Sequence, residues 1–329
     1  MTKYLLILSS VLLLTYTFSS CSKPMLEEGK NSTEKSTLTK KTVTLSLAQE
    51  TSPMRGEPNN VQLSPEIVYG INVYAKKSKD TEYSKYAYGL FTDPSKITLE
   101  LPEINTYKFE CIAIQDYEDK LFHENLFYEK PFLHGDQKPT EATNTFIYST
   151  SENLCVLKEG YINIMKQKEP TKFPCIYKYY GFIEDYKPTS NILPEIYLKK
   201  LVYGLHFKIK PPKEGTIEIS YNNNEEYIKI SAQDTFYDHS YIQPFTNKLD
   251  ELYLNKFNGK LILDLKWTKA DGTVYQDQKT VDITRNTMHN ISIEVSGPDP
   301  KQCKLKLDND EMKQKDIEWH FKIKLTKKK

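Results

Sequence analysis

His123 followed by Glu124 begins the arrangement in which two histidines one helical turn apart hold zinc beside a glutamate base. Position 127 is Phe, so the metal face lacks its second imidazole. The other histidines, His134, His206, His239, His289 and His320, are scattered, with His206 and His320 on polar strand faces, and read as surface or loop residues. Asp116, Glu118 and Asp119 could pair as the carboxylates of glycoside hydrolysis, yet they follow a strand at a turn, where carboxylates are solvated. Asp308-Asn309-Asp310 opens like a calcium loop but has no Gly at the sixth position. Cys111, Cys155, Cys175 and Cys303 lie far apart with no CxxC. In an oxidising compartment they allow two disulfides in three connectivities, and the core parity of Cys111 suits a buried thiol as well. Tyr177, Tyr179, Tyr180 and Tyr186, with Phe182, are the densest aromatic group and could form a surface that stacks on sugars or peptides. Tyrosines in strands and corners also pack inward. Trp267 and Trp319 both fall on inward-looking parities. No catalytic constellation, metal set or cofactor motif results, and the chain reads as non-enzymatic.

The composition agrees. The chain has 329 residues, 38% hydrophobic, 27% charged and 12% aromatic: long enough for about two domains, too aromatic for a disordered chain and too polar for a multi-span membrane protein. Lys+Arg 45 against Asp+Glu 44 leaves a net charge of +1, with no bulk attraction for nucleic acid. The 12 glycines never fall closer than Gly204 and Gly215, which removes GxGxxG, Walker A and GxSxG sites together.

Residues 1–20 read as a signal peptide: Lys3, then an apolar run from Tyr4 to Phe18 broken by Ser9, Ser10 and Thr15, then Phe18-Ser19-Ser20-Cys21. The run is shorter than the roughly 20 residues a membrane span requires. Its end resembles the lipobox of bacterial lipoproteins, with Phe18 where Leu is usual. The resemblance implies that Cys21 becomes the acylated first residue and that lipid holds the chain on the outer membrane. Residues 21–41 contain one large apolar pair, Met25 and Leu26, and read as a flexible tether with a reach of about 25 Å. Glu27 and Glu28 make a weak acidic cluster of the kind that marks surface export, and leave the membrane face open.

What must position any site is a series of strands. Val43, Leu45 and Leu47 share one face and Thr42, Thr44 and Ser46 the other. The same parity recurs at Ile71, Val73 and Ala75; at Ile97, Leu99 and Leu101; and at Tyr107, Phe109, Cys111 and Ala113. A second series runs through Leu201 to Ile209, Ile217 to Tyr221, Leu261 to Trp267 and Ile291 to Val295. Ile317, Trp319, Phe321, Ile323 and Leu325 form a clean final run. Only 120–133, with Leu121, Phe122, Leu126 and Phe127, has spacing closer to a helix or an irregular excursion, ended by Pro131. The expectation is an all-β protein of two tandem antiparallel β-sandwiches, 42–195 and 196–329, divided near the Pro188 to Pro194 segment.

Thr42-Val43-Thr44-Leu45-Ser46-Leu47, then Arg55-Gly56, then Ile67 to Tyr74, resemble the fimbrillin (type V pilin) family and its lipoprotein relatives. So do Ile97 to Glu110, Tyr179-Tyr180-Gly181, Leu198 to Leu205 and Thr284-Arg285-Asn286. The likeness covers most of 42–296. It implies transthyretin-like sandwiches and, in polymerising members, cleavage by an arginine-specific protease, here at Arg55. The strand Thr42 to Ala48 would then be removed and its groove filled by a strand of the next subunit, with Ile317 to Leu325 as a donor. Arg285 is the other arginine in the chain. The implied role is a pilus-related subunit (anchor, tip or stalk) or an adhesin whose partners are other pilus subunits. The rival reading is a surface lipoprotein that binds glycan or peptide.

Overall fold

Strands form where the alternation begins. The computed structural model describes residues 39–51, 66–115, 121–123, 126–128, 130–135, 140–156, 176–189, 191–221, 228–295 and 304–308. The first strands are β1 (Lys40–Thr44), β2 (Ser46–Gln49), β3 (Ile67–Lys76), β4 (Ser84–Phe91), β5 (Thr98–Pro102) and β6 (Thr106–Gln115). The short strands β7 (Leu121–His123), β8 (Leu126–Tyr128), β9 (Phe132–His134), β10 (Phe146–Tyr148) and β11 (Leu154–Val156) follow, then β12 (Tyr177–Tyr186) and β13 (Glu195–Lys200). Seven of these form one sheet in the order β10-β4-β3-β6-β12-β13-β2.

β6 explains the layering. It lies between β3 and β12, and its odd positions, Tyr107, Phe109, Cys111 and Ala113, are all buried against Leu99 and Leu101 of β5 and Val43 of β1. On the other face Ile114 joins Val68, Tyr88 and Leu90 beneath Phe132 of β9 and Leu154 of β11. Each such side chain taken from water contributes about 1.5–3 kcal/mol.

The second half supplies β14 (Val202–Ile209), β15 (Thr216–Tyr221), β16 (Ile228–Ser231), β17 (Tyr237–Pro244), the short helix α1 (Leu249–Tyr253), β18 (Gly259–Thr268), β19 (Val274–Ile283), β20 (Met288–Glu294) and β21 (Lys304–Asp308). Two four-stranded sheets, β17-β14-β20-β21 and β16-β15-β18-β19, enclose a core of Leu205, Phe207, Ile217, Ile219, Leu261, Ile291 and their neighbours. The two sandwiches are joined by packing: Val202, Ile242 and Met288 are buried in the first core, and Lys178 of β12 donates a buried hydrogen bond to the Phe245 carbonyl at 2.9 Å.

The all-β expectation holds, with four differences in detail. The sheets are not wholly antiparallel: β2 runs parallel to β13 and β14 parallel to β20, because the chain there crosses between sheets and does not turn back in a hairpin. Among its described residues the 120–133 segment contains β7, β8 and the start of β9 and no helix. Two paired three-residue strands place apolar pairs at offsets close to those of a helical turn. The first strand starts at Lys40, ahead of the expected Thr42. The division between 195 and 196 would cut β13 from the sheet it completes; the chain enters the second sandwich at Leu201, between β13 and β14.

Cys111 and Cys155 are free thiols in different settings, and Cys175 and Cys303 lie outside the described residues. Burial pushes the Cys111 thiol up, away from the reactive thiolate. A maleimide should therefore label exposed Cys155 in the native protein within minutes and reach Cys111 only in denaturant, as read by peptide mass mapping.

Candidate functional site

The segment from Lys40 to Glu50 belongs to both layers of the first sandwich. β1 pairs antiparallel with β5 from Lys40 opposite Pro102 to Thr44 opposite Thr98, and Thr44 and Thr98 share a hydroxyl hydrogen bond at 3.1 Å. At Leu45 the chain changes sheets. Its amide donates to the Ile97 carbonyl and the next amide, of Ser46, donates to the Pro194 carbonyl, both at 2.9 Å. β2 then runs parallel to β13 from Ser46 opposite Glu195 to Gln49 opposite Leu198, and the Glu50 amide donates to the Leu198 carbonyl at 2.8 Å. Val43 and Leu45 are each 2% exposed in the core, and Leu47 packs beside them. One short strand thus closes the edges of two sheets, with backbone bonds along its length and two apolar side chains filling the space between.

Its far end is locked to the second sandwich. The Glu50 carboxylate accepts from the Lys200 amide at 2.8 Å and from the Arg285 guanidinium at 3.0 Å, and both charged side chains are 16% exposed. The guanidinium also donates to the Lys200 carbonyl at 3.2 Å and, through Nε, to Asn255 Oδ1 at 3.0 Å. Lys199 lies close by, its ammonium pushed down by burial and by the Arg285 charge; it donates to the Tyr253 carbonyl at 2.7 Å. The Lys40–Glu100 pair at the opposite end is exposed at 3.8 Å and adds little.

The opposite edge of β5 is covered by side chains. Tyr148 of β10 accepts from the Glu100 amide at 2.9 Å, and the Tyr148 and Tyr86 hydroxyls donate to the Glu100 carbonyl at 3.3 and 3.4 Å. The Tyr86 phenol is pushed up to about 12 from 10.0, by burial first and then by Tyr148 and Glu100. A raised folded-state value means the stabilisation from this neutral phenol is complete below pH 10 and lost as pH rises through about 12. Tyr74 and Tyr107 are raised in the same direction, also chiefly by burial. The urea midpoint should therefore hold up to about pH 10 and fall above it, less steeply in Tyr86→Phe.

The residues singled out in the sequence divide sharply. Cys21, Arg55 and Gly56 lie outside the described residues, as do Asp116, Glu118, Asp119, Glu124, Asn309, Asp310 and Ile317 to Leu325. The tyrosine group does not form an open face. Tyr177 and Tyr179 are each 1% exposed in the first core, Tyr179 donating to Gln115 Oε1, and Tyr180 is 3% exposed and hydrogen-bonded to Asp250 of α1. Tyr186 is half-buried against Phe109. Their parity on a strand covered on both sides turns these rings inward, which corrects the expectation of an aromatic binding surface. Trp267 is buried as its parity indicates, its Nε1 donating to the Glu214 carbonyl. His206 bridges Asn290 and Asp238 on the outer face of β14. Among the described residues no group of three or more His, Cys, Asp or Glu could hold a metal ion, and no helix is long and apolar enough to cross a membrane.

Sequence reading missed Glu50 and its contact with Arg285. The pair is separated by most of the chain, and neither residue stands out by its type; the one available signal was that Arg285 is one of only two arginines.

No family profile matches the chain, and neither does any curated protein. Several solved structures do. The fimbrial anchor protein Mfa2 from Porphyromonas gingivalis is 11% identical, with 82% of this chain and 97% of that one covered and a TM-score of 0.36. A fimbrial assembly protein from Parabacteroides distasonis is 11% identical, with 82% and 96% covered and a TM-score of 0.28. A candidate adhesin from Bacteroides ovatus is 9% identical, with 88% and 95% covered and a TM-score of 0.36.

Proposed function

We propose that the chain is a non-enzymatic, pilus-related subunit (anchor, tip or stalk) or adhesin of the bacterial outer membrane. As an anchor or tip it is held there by acyl chains on Cys21; as a stalk subunit, cut after Arg55 and freed of β1 and β2, it joins a neighbouring subunit by β-strand addition at their seat. The observation that carries this reading is the division of Lys40–Gln49 between two sheets. Removing an ordinary edge strand exposes one row of backbone groups. Removing this one exposes the edges of β5 and β13 together, with the places of Val43 and Leu45 open between them, which is a groove shaped for an extended peptide with alternate apolar side chains.

Arg55 suits the same reading, since a cut after it would free β1 and β2 from the rest of the chain. The strand would then be held by hydrogen bonds, two apolar side chains and Glu50 alone. Glycan recognition loses its main support with the burial of Tyr177, Tyr179 and Tyr180. The test is the mass and amino terminus of the protein recovered from the cell envelope, together with its migration on an unboiled gel. An acylated Cys21 on an envelope-bound chain is expected. A chain starting at Gly56 with a ladder of oligomers would make it a polymerising stalk subunit. An unacylated, freely soluble monomer would overturn the proposal.

A further inference from the structure

The seat of β1 and β2 has an unusual symmetry. Its occupant runs antiparallel to β5 and parallel to β13, so a strand entering in the reverse direction would also make one ladder of each kind. The backbone therefore does little to fix direction, and a charge at one end can decide it. Arg285 is that charge. Asn255 Oδ1 and the Lys200 carbonyl hold the guanidinium in place independently of Glu50, so it stays at the end of the seat whichever strand occupies it. With Glu50 withdrawn, a largely buried cation would be left without its carboxylate, which is costly.

Resting on the strand-addition reading above, we infer that Arg285 selects both the charge and the direction of the strand that takes this seat. The occupant is the carboxy-terminal run of a second copy, entering opposite in direction to β1 and β2. The resident strand sets the rule: apolar residues at 43, 45 and 47, and an acid at 50. Laid in the same direction, the run 317–325 puts Lys324, Thr326 or Lys328 at the Glu50 position in its three registers, and none is acidic. Laid in reverse, Leu325, Ile323 and Phe321 bring Glu318 to Arg285, and Ile323, Phe321 and Trp319 bring Asp316; only the third register, with Gln314, fails. Charge complementarity thus favours reverse entry.

The full chain, nicked after Arg55, tests this with competing peptides. A labelled peptide of residues 42–51 marks the seat, and a peptide of residues 314–326 competes for it. Replacing Asp316→Asn and Glu318→Gln in the competitor should weaken competition about tenfold or more, the scale expected for stripping a desolvated ion pair of one partner. In Arg285→Glu protein the preference should reverse, toward a competitor carrying Asp316→Lys and Glu318→Lys. A spin label on the competitor's amino end should broaden the amide signals of Lys200 and Asn286. Equal competition by acidic and neutral peptides, or broadening at Leu101 and Glu103 instead, would overturn the inference while leaving strand addition intact. If the 42–51 peptide itself never enters the seat, strand addition fails and this inference with it.

Discussion

Leu45→Asp is expected to lower the stability of the first sandwich by about 4 kcal/mol or more, the largest effect of any single change in the strand. Leu45 is 2% exposed at the point where the chain leaves the β5 edge for the β13 edge, so its side chain fills the space between the two layers. Truncating a buried leucine costs about 2–5 kcal/mol through lost transfer energy and the cavity left behind. A carboxylate there must in addition be desolvated without a partner, or swing out and carry the backbone with it. The second route breaks the bonds from Leu45 to Ile97 and from Ser46 to Pro194, unseating β1 and β2 together. Hydrogen exchange should show lost protection along β5 and β13, while Trp267 fluorescence, read in a Trp319→Phe background and reporting the second core, should melt nearer to its original urea midpoint. Unchanged protection in β5 and β13 would mean that the strand contributes little to closing the sandwich.

Gly181→Val should cost about 3 kcal/mol and loosen β2 without touching it. Gly181 lies in β12 where β13 crosses close, and a Cβ there would stand 2.4 Å from the Tyr197 carbonyl oxygen and 2.8 Å from Ile196 Cγ2. The first contact is with backbone, so no rotamer relieves it, and β12 and β13 must separate. β13 is the strand on which β2 is seated, and the damage should therefore appear in exchange at Ser46–Gln49 as well as in the urea midpoint. Gly272→Ala is the control. Its φ of +82° strains an alanine, but a Cβ meets nothing within 4 Å, so a loss of about 1 kcal/mol with no change at β2 is expected. Equal effects from the two substitutions would show that crowding between β12 and β13 is not what holds β2 in register.

Much of this architecture is legible in side-chain parity. Val43 and Leu45, the odd positions of β6, and the runs at 205–209, 217–221 and 291–295 all face cores as their alternation indicates, because a strand with one wet face must sort its residues that way. Parity says nothing about partners. The same Thr42 to Ala48 alternation would suit one edge strand, and only the three-dimensional positions of Ile97 and Pro194 show it dividing between two sheets. Nor can parity separate a tyrosine on a wet face from one on a strand covered on both sides. Tyr180 has even parity yet is buried, because α1 and its Asp250 lie against it. The lock between Glu50 and Arg285 was unreadable for a related reason: charged residues carry no periodic signal, and their pairing depends on how the second sandwich docks against the first.

The most direct test of the account is to cut the native full chain once after Arg55 and follow the amino-terminal piece by native mass spectrometry. At neutral pH that piece should remain bound, held by its two ladders, Val43, Leu45 and Glu50, and should leave as free 42–51 peptide is added in excess. If it stays bound at every peptide concentration and the nicked protein melts like the intact one, β1 and β2 are fixed parts of the sandwich and their seat does not exchange strands.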